Sequence, residues 1–321
     1  MAVDELDLLV LGDMNPDIIV SGVKAPPRFD QVEQLVDTAD LVVGGSAAIT
    51  AMGAARLGLK VGLCAVAGRD RFGEFMVDEL QRSGVGTDPI RVERGLATGV
   101  TVILLSGQDR AILTAPGSIS DLGPNDLADL PDRPARHVHV ASYYLMNDKF
   151  QQALPSALQR FRAAGATVSI DTNWDPQERW QLDAVLQETD VFLPNRAELA
   201  AIAGTDVVTD AMAKTGSDSV AMVTKLGEWG AVARTRGQTY SVRAARQFGF
   251  VDSVGAGDTF NAGYLTGLLG GRDINDCLRL AVAAATLSTG GRGGTSAQPT
   301  LSEADALAAA LTVSAGYEEP A

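Results

Sequence analysis

Asp252-Ser253-Val254-Gly255-Ala256-Gly257-Asp258, running directly into Thr259-Phe260-Asn261-Ala262-Gly263-Tyr264-Leu265, is the stretch on which the reading of this chain turns. Two glycines around one alanine allow a tight turn whose successive N–H groups point at one place, just where a helix begins. Unpaired amides and the positive end of the helix dipole make such a turn an anion site. Asp258 falls in the first turn of that helix, where its carboxylate could take a proton from a hydroxyl held beside a bound phosphate. That is the arrangement phosphoryl transfer to an alcohol needs. The plainer reading is a strand-to-helix turn with Asp258 as its cap. A dinucleotide fingerprint fits less well, because Phe260 stands where the third glycine belongs, and the chain has no P-loop motif.

Upstream of this stretch, strands and helices alternate. Leu6 to Leu11 is a short apolar run ending in Gly12-Asp13, the pattern of a strand buried on both faces of a parallel sheet. Ala47 to Leu57 reads as a helix, Lys60 to Ala67 as a strand and Phe72 to Ser83 as an amphipathic helix. Further strands are predicted at His137–Ala141, Thr167–Asp171, Val191–Leu193 and Val220–Thr224, with helices at Phe150–Ala164 and Asp175–Glu188. Strand, helix, strand in this order predicts right-handed parallel units.

Two regions break the alternation, residues 15–40 with Pro16, Pro26 and Pro27, and residues 90–116 with the alternating run Gly99 to Leu105. Both read as antiparallel strands outside the parallel sheet. The expected organisation is a large α/β domain of residues 1–14, 41–89 and 117–321, with 15–40 and 90–116 inserted as a small β lid over the ligand-binding edge. Glu303 to Ala310 is a good helix former, and residues 316–321 are expected to fray.

Composition excludes several classes. The chain of 321 residues is 46% hydrophobic and 21% charged, as in a globular protein, and its net charge of −14 opposes nucleic-acid and anionic-membrane binding. The start, Met1 to Glu5, lacks the basic region of a signal peptide, and no apolar run reaches the length of a membrane span, so a cytoplasmic location is expected. Cys64 and Cys277 lack metal spacing and read as buried apolar residues. His137 and His139, the only two histidines, would share one face of a strand and read as packed or solvent-facing rather than catalytic. Trp174 and Trp229 are read as core residues that could alternatively line a pocket.

The 252–258 motif, with Gly44-Gly45-Ser46-Ala47-Ala48 upstream, resembles the two signatures of the PfkB family of carbohydrate kinases, which have the ribokinase-like fold. Gly12 to Asp17, Gly68 to Gly73, Ser83-Gly84-Val85, Asp171-Thr172-Asn173, Pro194 to Glu198 and Thr224 to Gly230 match in the expected order, so the resemblance spans about residues 6–312. It implies a three-layer α/β/α domain with a mainly parallel sheet and a β-sheet lid. It also implies ATP, Mg2+ and a sugar-like acceptor phosphorylated on a primary hydroxyl.

By the same resemblance Asp258 is the base, and Gly255, Ala256 and Gly257 form an anion hole for charge developing on the transferred group. Asn15, Asp17, Gly44, Gly45 and Ile49 fall where relatives bind the acceptor. Asn173, Asn195, Thr224, Lys225, Gly227 and Gly230 fall along the nucleotide, and Glu198 and Asp171 where the metal network lies. Asp252 and the loop Gly290 to Ser296 match the segments that hold a monovalent cation, potassium, in many relatives. Local alternatives stand beside these assignments: Asn195 and Glu198 spell a capping box, Asn15-Pro16-Asp17 an ordinary turn, and residues 225–230 a β-turn.

Three departures bear on specificity. Ile49 replaces an asparagine that contacts the sugar in many relatives, which counts against a ribose-type hydroxyl pattern. Asp175 stands where sugar-acid kinases often have arginine, which counts against a 2-keto-3-deoxygluconate-like acceptor. The apolar run around Val282 replaces an adenine-contacting asparagine, which weakens the expectation of strict ATP preference. A neutral sugar is the leading expectation, a nucleoside the alternative, and an idle ligand-binding relative a third. An exposed lid edge would also suit a homodimer.

Overall fold

The computed structural model describes residues 6–27, 29, 31–106, 109–216, 219–245 and 249–319, so the start read above, Met1 to Glu5, lies outside the described residues. Nine strands form one sheet in the order Val313–Ala315, Gln238–Val242, Ala231–Thr235, Ala221–Lys225, Val191–Phe192, Thr167–Asp171, His137–Ala141, Leu8–Leu11, Val61–Cys64. From Ala221–Lys225 to Val61–Cys64 all neighbours are parallel, and the remaining three strands are added antiparallel. Leu8–Leu11 is buried throughout because it lies inside the sheet with helices on both faces.

Each face carries its own core. Helices Ser46–Arg56, Ala256–Leu269, Ile274–Ser288 and Leu301–Ala308 pack on one face through Ala47, Ala51, Phe260, Leu265, Leu278 and Ala304. Helices Asp148–Ala163, Arg196–Ala203 and Val208–Thr215 cover the other through Phe150, Leu154, Phe161, Leu199 and Met212. Gly263 is what lets two of the first set approach closely, since a Cβ there would lie 2.9 Å from Ala281 Cα.

A second sheet has the order Thr38–Gly44, Asn15–Ser21, Val100–Ser106, Asp109–Ala115. Its central pair, Asn15–Ser21 with Val100–Ser106, is parallel rather than antiparallel. Both strands set out from the ends of large-sheet strands: Asn15 follows Leu11, and Thr98 is bonded to Gly68 just past Cys64. Arg91–Glu93 joins neither sheet and pairs with Val66–Gly68.

Two other expectations give way. Only Asp183–Leu186 of the helix expected at 175–188 forms. Asp175 instead accepts hydrogen bonds from Gln177 N (2.8 Å), Arg179 N (2.8 Å) and Trp180 N (3.0 Å), which winds the segment into a turn. Asn173, Glu178 and Trp180 there have positive φ angles, an arrangement no helix contains. The tail is also anchored up to residue 319: Val313–Ala315 pairs with Tyr240–Val242, and Glu319 bonds to Val208 N and to Arg196.

Candidate active site

The Gly255–Asp258 segment does start a helix, Ala256–Leu269, with Gly255 at its N-cap. Gly255 has φ 71°, and a Cβ on it would fall 2.5 Å from Gly294 Cα, so conformation and space both require glycine. Asp252 fixes the approach, accepting from Val254 N (3.0 Å) with one oxygen and from Gly293 N (3.0 Å) with the other. Asp258 in the first turn is partly buried. Burial, then the nearby carboxylate of Asp171, pushes it up to about 8; Asp13 adds to this, while Lys225 and a hydrogen bond with Ser46 oppose it.

Lys225 brings positive charge to the same turn, its Nζ lying 3.8 Å from where a Cβ of Gly257 would stand. The ammonium is ion-paired with Asp171 and bonded to Asn261 Oδ1 (3.4 Å), and Asn261 Nδ2 donates to Asp171 (2.6 Å). Burial would lower the lysine's pKa, but Asp171, Glu198 and Asp258 outweigh it and hold it above its ordinary value. Asp171, expected toward the metal, is thus the anchor of Lys225.

On the lid side, Asp13 closes the start of helix Ser46–Arg56, accepting from Ser46 N (3.2 Å) and Ala47 N (3.0 Å). Burial holds it above the usual carboxylate range. Asn15 Nδ2 donates to Asp17 Oδ1 (3.0 Å) and Thr101 Oγ1 (3.2 Å). Burial and then Asp13 push Asp17 up to about 7. Gly44 faces Asp17 so closely that a Cβ would fall 2.2 Å from its carboxyl carbon, and Gly45, with φ 84°, lies against the backbone of Asp13 and Met14. Asn173 joins this group, donating to Ser46 Oγ (2.7 Å) and accepting from Ser142 N (3.2 Å).

Ile49 is buried, and its side chain packs against Gly294. Gln298 holds that junction, donating from Nε2 to Ile49 O (2.9 Å) and Thr259 Oγ1 (3.1 Å). The buried carboxylate of Asp175, engaged with its three amides, does not stand free to repel an acidic ligand. Val282 and its neighbours lie in the core.

Asn195 and Glu198 form the capping box anticipated from the sequence: Glu198 N donates to Asn195 Oδ1 and Asn195 N to Glu198 Oε2, each at 2.9 Å. The cap also brings the carboxylate toward the site. Burial and then Asp171 push Glu198 up to about 7, with Lys225 opposing. Asn195 bridges to Lys225 through the backbone, and Thr224 is buried beside it. Beyond Lys225, Gly227 (φ 61°) and Gly230 (φ 93°) shape a short turn, in which a Cβ on Gly230 would meet Val242 O at 2.0 Å. Trp229 in that turn and Trp174 are half exposed rather than in the core, and Trp174 sits edge-on to Trp180 at 4.8 Å.

The structure therefore joins Asp258, Lys225, Asp171 and Glu198 electrostatically, with Asp17 and Asn173 reaching them through Asp13 and Ser46. Asp252 stands apart, on the loop side of the anion turn. Sequence reasoning missed Asp13, Ser46, Asn261 and Gln298 as site residues. Asn261 carried a signal, since a helix places residue 261 on the same side as 258.

Four carboxylates, Asp13, Asp171, Glu198 and Asp258, stand against the ammonium of Lys225; burial pushes Asp13, Glu198 and Asp258 upward, and Asp171 adds to it for Glu198 and Asp258. Among the described residues no cluster of three or more His, Cys, Asp or Glu could hold a metal ion. No helix among the described residues is long and apolar enough to cross a membrane.

The pfkB family carbohydrate kinase model matches residues 5–301. The chain is 34% identical to a fructokinase of Klebsiella pneumoniae over 238 residues, 70% of this chain and 76% of that one. It is 28% identical to a 5-dehydro-2-deoxygluconokinase of Geobacillus thermodenitrificans over 316 residues, 93% of this chain and 91% of that one. Among solved structures, a putative ribokinase II of E. coli in complex with ATP and Mg2+ superposes with a TM-score of 0.80 at 23% identity, covering 94% of this chain and 98% of its own.

Proposed function

The chain belongs to the pfkB family of carbohydrate kinases, and from that premise we propose that it transfers the γ-phosphoryl group of ATP to a primary hydroxyl of a sugar or sugar-like polyol, with Asp258 as general base. The observation that carries this reading is the placement of Asp258. It lies in the first turn of a helix, beside the amides of 255–257 and the ammonium of Lys225, and is pushed up to about 8. A base whose pKa lies near working pH abstracts a proton efficiently.

The acceptor is held by Asp17 and Asn15 and by the open backbone at Gly44 and Gly45. Its oxygen bonds to the γ-phosphorus as the bridging bond to ADP breaks, and the hydroxyl proton passes to Asp258. Negative charge on the transferred group is met by the amides of Gly255, Ala256 and Gly257 and by Lys225, which Asp171 and Asn261 keep in place. Magnesium, when bound, neutralises phosphate oxygens, and Glu198, oriented by Asn195, would hold it through water. Thr224, Gly227 and Gly230 border the nucleotide, and Asp252 with the 290–296 loop supports the anion turn and a potassium ion beside it.

The second sheet acts as a lid that excludes water, and Arg292 ties it to the anion-turn loops through Asp40 (3.1 Å). Its edge strands carry exposed Leu41, Ile112 and Leu113, which suits a homodimer. The acceptor side is lined by Asp13, Asp17 and Asp258, whose carboxyls repel an acidic acceptor as they ionise, which favours a neutral polyol over a sugar acid.

A phosphorylation screen over neutral sugars, sugar acids and nucleosides with mass detection of product tests this. A monophosphorylated neutral sugar is expected, and Asp258→Asn should bind ATP with turnover lower by a factor of about 10² to 10⁴. A mutant with wild-type turnover would remove Asp258 from the role, and a nucleoside product would replace the acceptor.

A further inference from the structure

Beneath the candidate site lies a file of polar groups that phosphoryl transfer, as described, does not use. His137 and His139 on one strand stand in register with Thr167 and Ser169 on the next, so all four share one face of the sheet, and Asp171 follows on that face. The two histidines and Ser169 are fully buried. The file is hydrogen-bonded end to end: Thr167 Oγ1 to His137 Nδ1, His137 Nε2 to Ser169 Oγ, and Ser169 Oγ to His139 Nδ1, each at 2.7 Å. It stops at His139 Nε2, which is buried without a protein partner. Burying such groups inside an apolar sheet is costly, and a partly satisfied network more so.

The file has only two self-consistent proton arrangements. Burial drives both imidazoles far below their ordinary range, so each is neutral, with one N–H and one bare nitrogen. Ser169 has a single proton and touches two imidazole nitrogens, so it donates to one and accepts from the other. If it donates to His139 Nδ1, then His139 carries its proton on Nε2, His137 donates from Nε2, and Thr167 donates to His137 Nδ1. The reverse direction leaves a lone pair on His139 Nε2. The charges acting on His139 are Asp171 and, more weakly, Lys225, so the net field there is negative. A negative field attracts an N–H and repels a lone pair, which selects the first direction.

We propose that His139 is a positioning residue for phosphoryl transfer: locked as its Nε2–H tautomer by the Thr167–His137–Ser169 file, it supplies a fixed donor dipole beneath Asp171, and so helps hold the carboxylate that anchors Lys225 at the anion turn. The inference rests on the role given above to Lys225 and Asp171. It assigns the only two histidines of the chain to the support of the site rather than to plain packing.

Having only two histidines makes the test direct. Long-range 1H–15N correlation on the 15N-labelled, unmodified protein should show two neutral imidazoles at pH 7, with His139 protonated at Nε2; Ser169→Ala, which cuts the file, should shift the His137 Nε2 and His139 Nδ1 signals and so identify both rings. A His139 protonated at Nδ1, or a charged one, overturns the proposal whatever the enzyme's acceptor proves to be. With the acceptor found by the screen, His139→Phe, which fills the space without the donor, should lower kcat by about threefold or more, the scale of a dipole acting on a neighbouring charge with no hydrogen bond between them. Melting temperature and acceptor KM should hold. His139→Gln, whose amide nitrogen reaches the Nε2 position, should recover most of the loss. Equal kcat in the Phe variant and the unmodified protein, or equal losses in Phe and Gln, would reduce the file to packing. Failure of the functional reading itself would look different, as no turnover in the unmodified protein.

Discussion

The pH dependence of turnover follows from the charges around Asp258. With the carboxyl pushed up to about 8, roughly one molecule in ten carries the ionised base at pH 7 and about one in a hundred at pH 6. The acceptor's kcat/KM should therefore climb about tenfold per unit and level off above roughly pH 8.5, with extra steepness below 7 where Asp17 and Glu198 also gain protons. Two substitutions should move this limb in opposite directions. Lys225→Met removes the charge that pulls Asp258 down and leaves Asp171 unbalanced, so the limb should rise. Asp171→Asn removes the leading charge that pushes Asp258 up and leaves Lys225 unbalanced, so it should fall. A single partly buried charge is worth on the order of one unit here. The assay is ADP release with saturating MgATP and limiting acceptor, from pH 5.5 to 9.5 at constant ionic strength. A profile flat from 6 to 9, a limb near 4, or both variants shifting the same way would refute the reasoning.

Other outcomes are expected with it. Gly255→Ala should lower the melting temperature and turnover together, because the left-handed backbone alone costs about 1–2 kcal/mol and the new Cβ must also displace Gly294. Gly257→Ala should leave melting nearly unchanged while slowing turnover, since its Cβ meets nothing nearer than Lys225 Cδ at 3.7 Å but crowds the anion turn. Asp175→Ala frees three amides and should cost on the order of 2 kcal/mol, visible as faster hydrogen exchange at 177–180. Asp17, Glu198 and Asp258 bind protons more tightly in the native state than in the unfolded chain. Their stabilisation is therefore complete below about pH 4 and is lost as pH rises through 7 to 8. Thermal melts should show that decline between pH 5 and 9, and Asp17→Asn should remove on the order of 4 kcal/mol of it.

What could be read from the residues were features with local causes. The apolar run at Leu8–Leu11, the glycine turn at 255–257 and the Asn195–Glu198 cap depend on neighbours in sequence, and each appears in the structure. What escaped depends on residues far apart. Nothing local to Asp171 reveals that Lys225, fifty-four positions on, reaches it. Asp175–Glu188 had helical composition, but the short side chain of Asp175 captures three following amides before a helix can. The parallel pairing of Asn15–Ser21 with Val100–Ser106 is set by where two distant strands leave the large sheet.

Gln298 gives the site a place in time as well as in space. One side-chain amide near the end of the chain bridges Ile49 and Thr259, and the Gln298 carbonyl accepts from Arg56 Nε (2.5 Å). This bridge adds to the bond from Thr50 Oγ1 to Asp258 O (3.3 Å) that already joins the helices carrying Ser46 and Asp258. A ribosome-bound chain can assemble strands and helices early, but it lacks this second clasp until residue 298 has left the exit tunnel. Any product of premature termination upstream of that point would lack the clasp and should hold these two helices together less firmly.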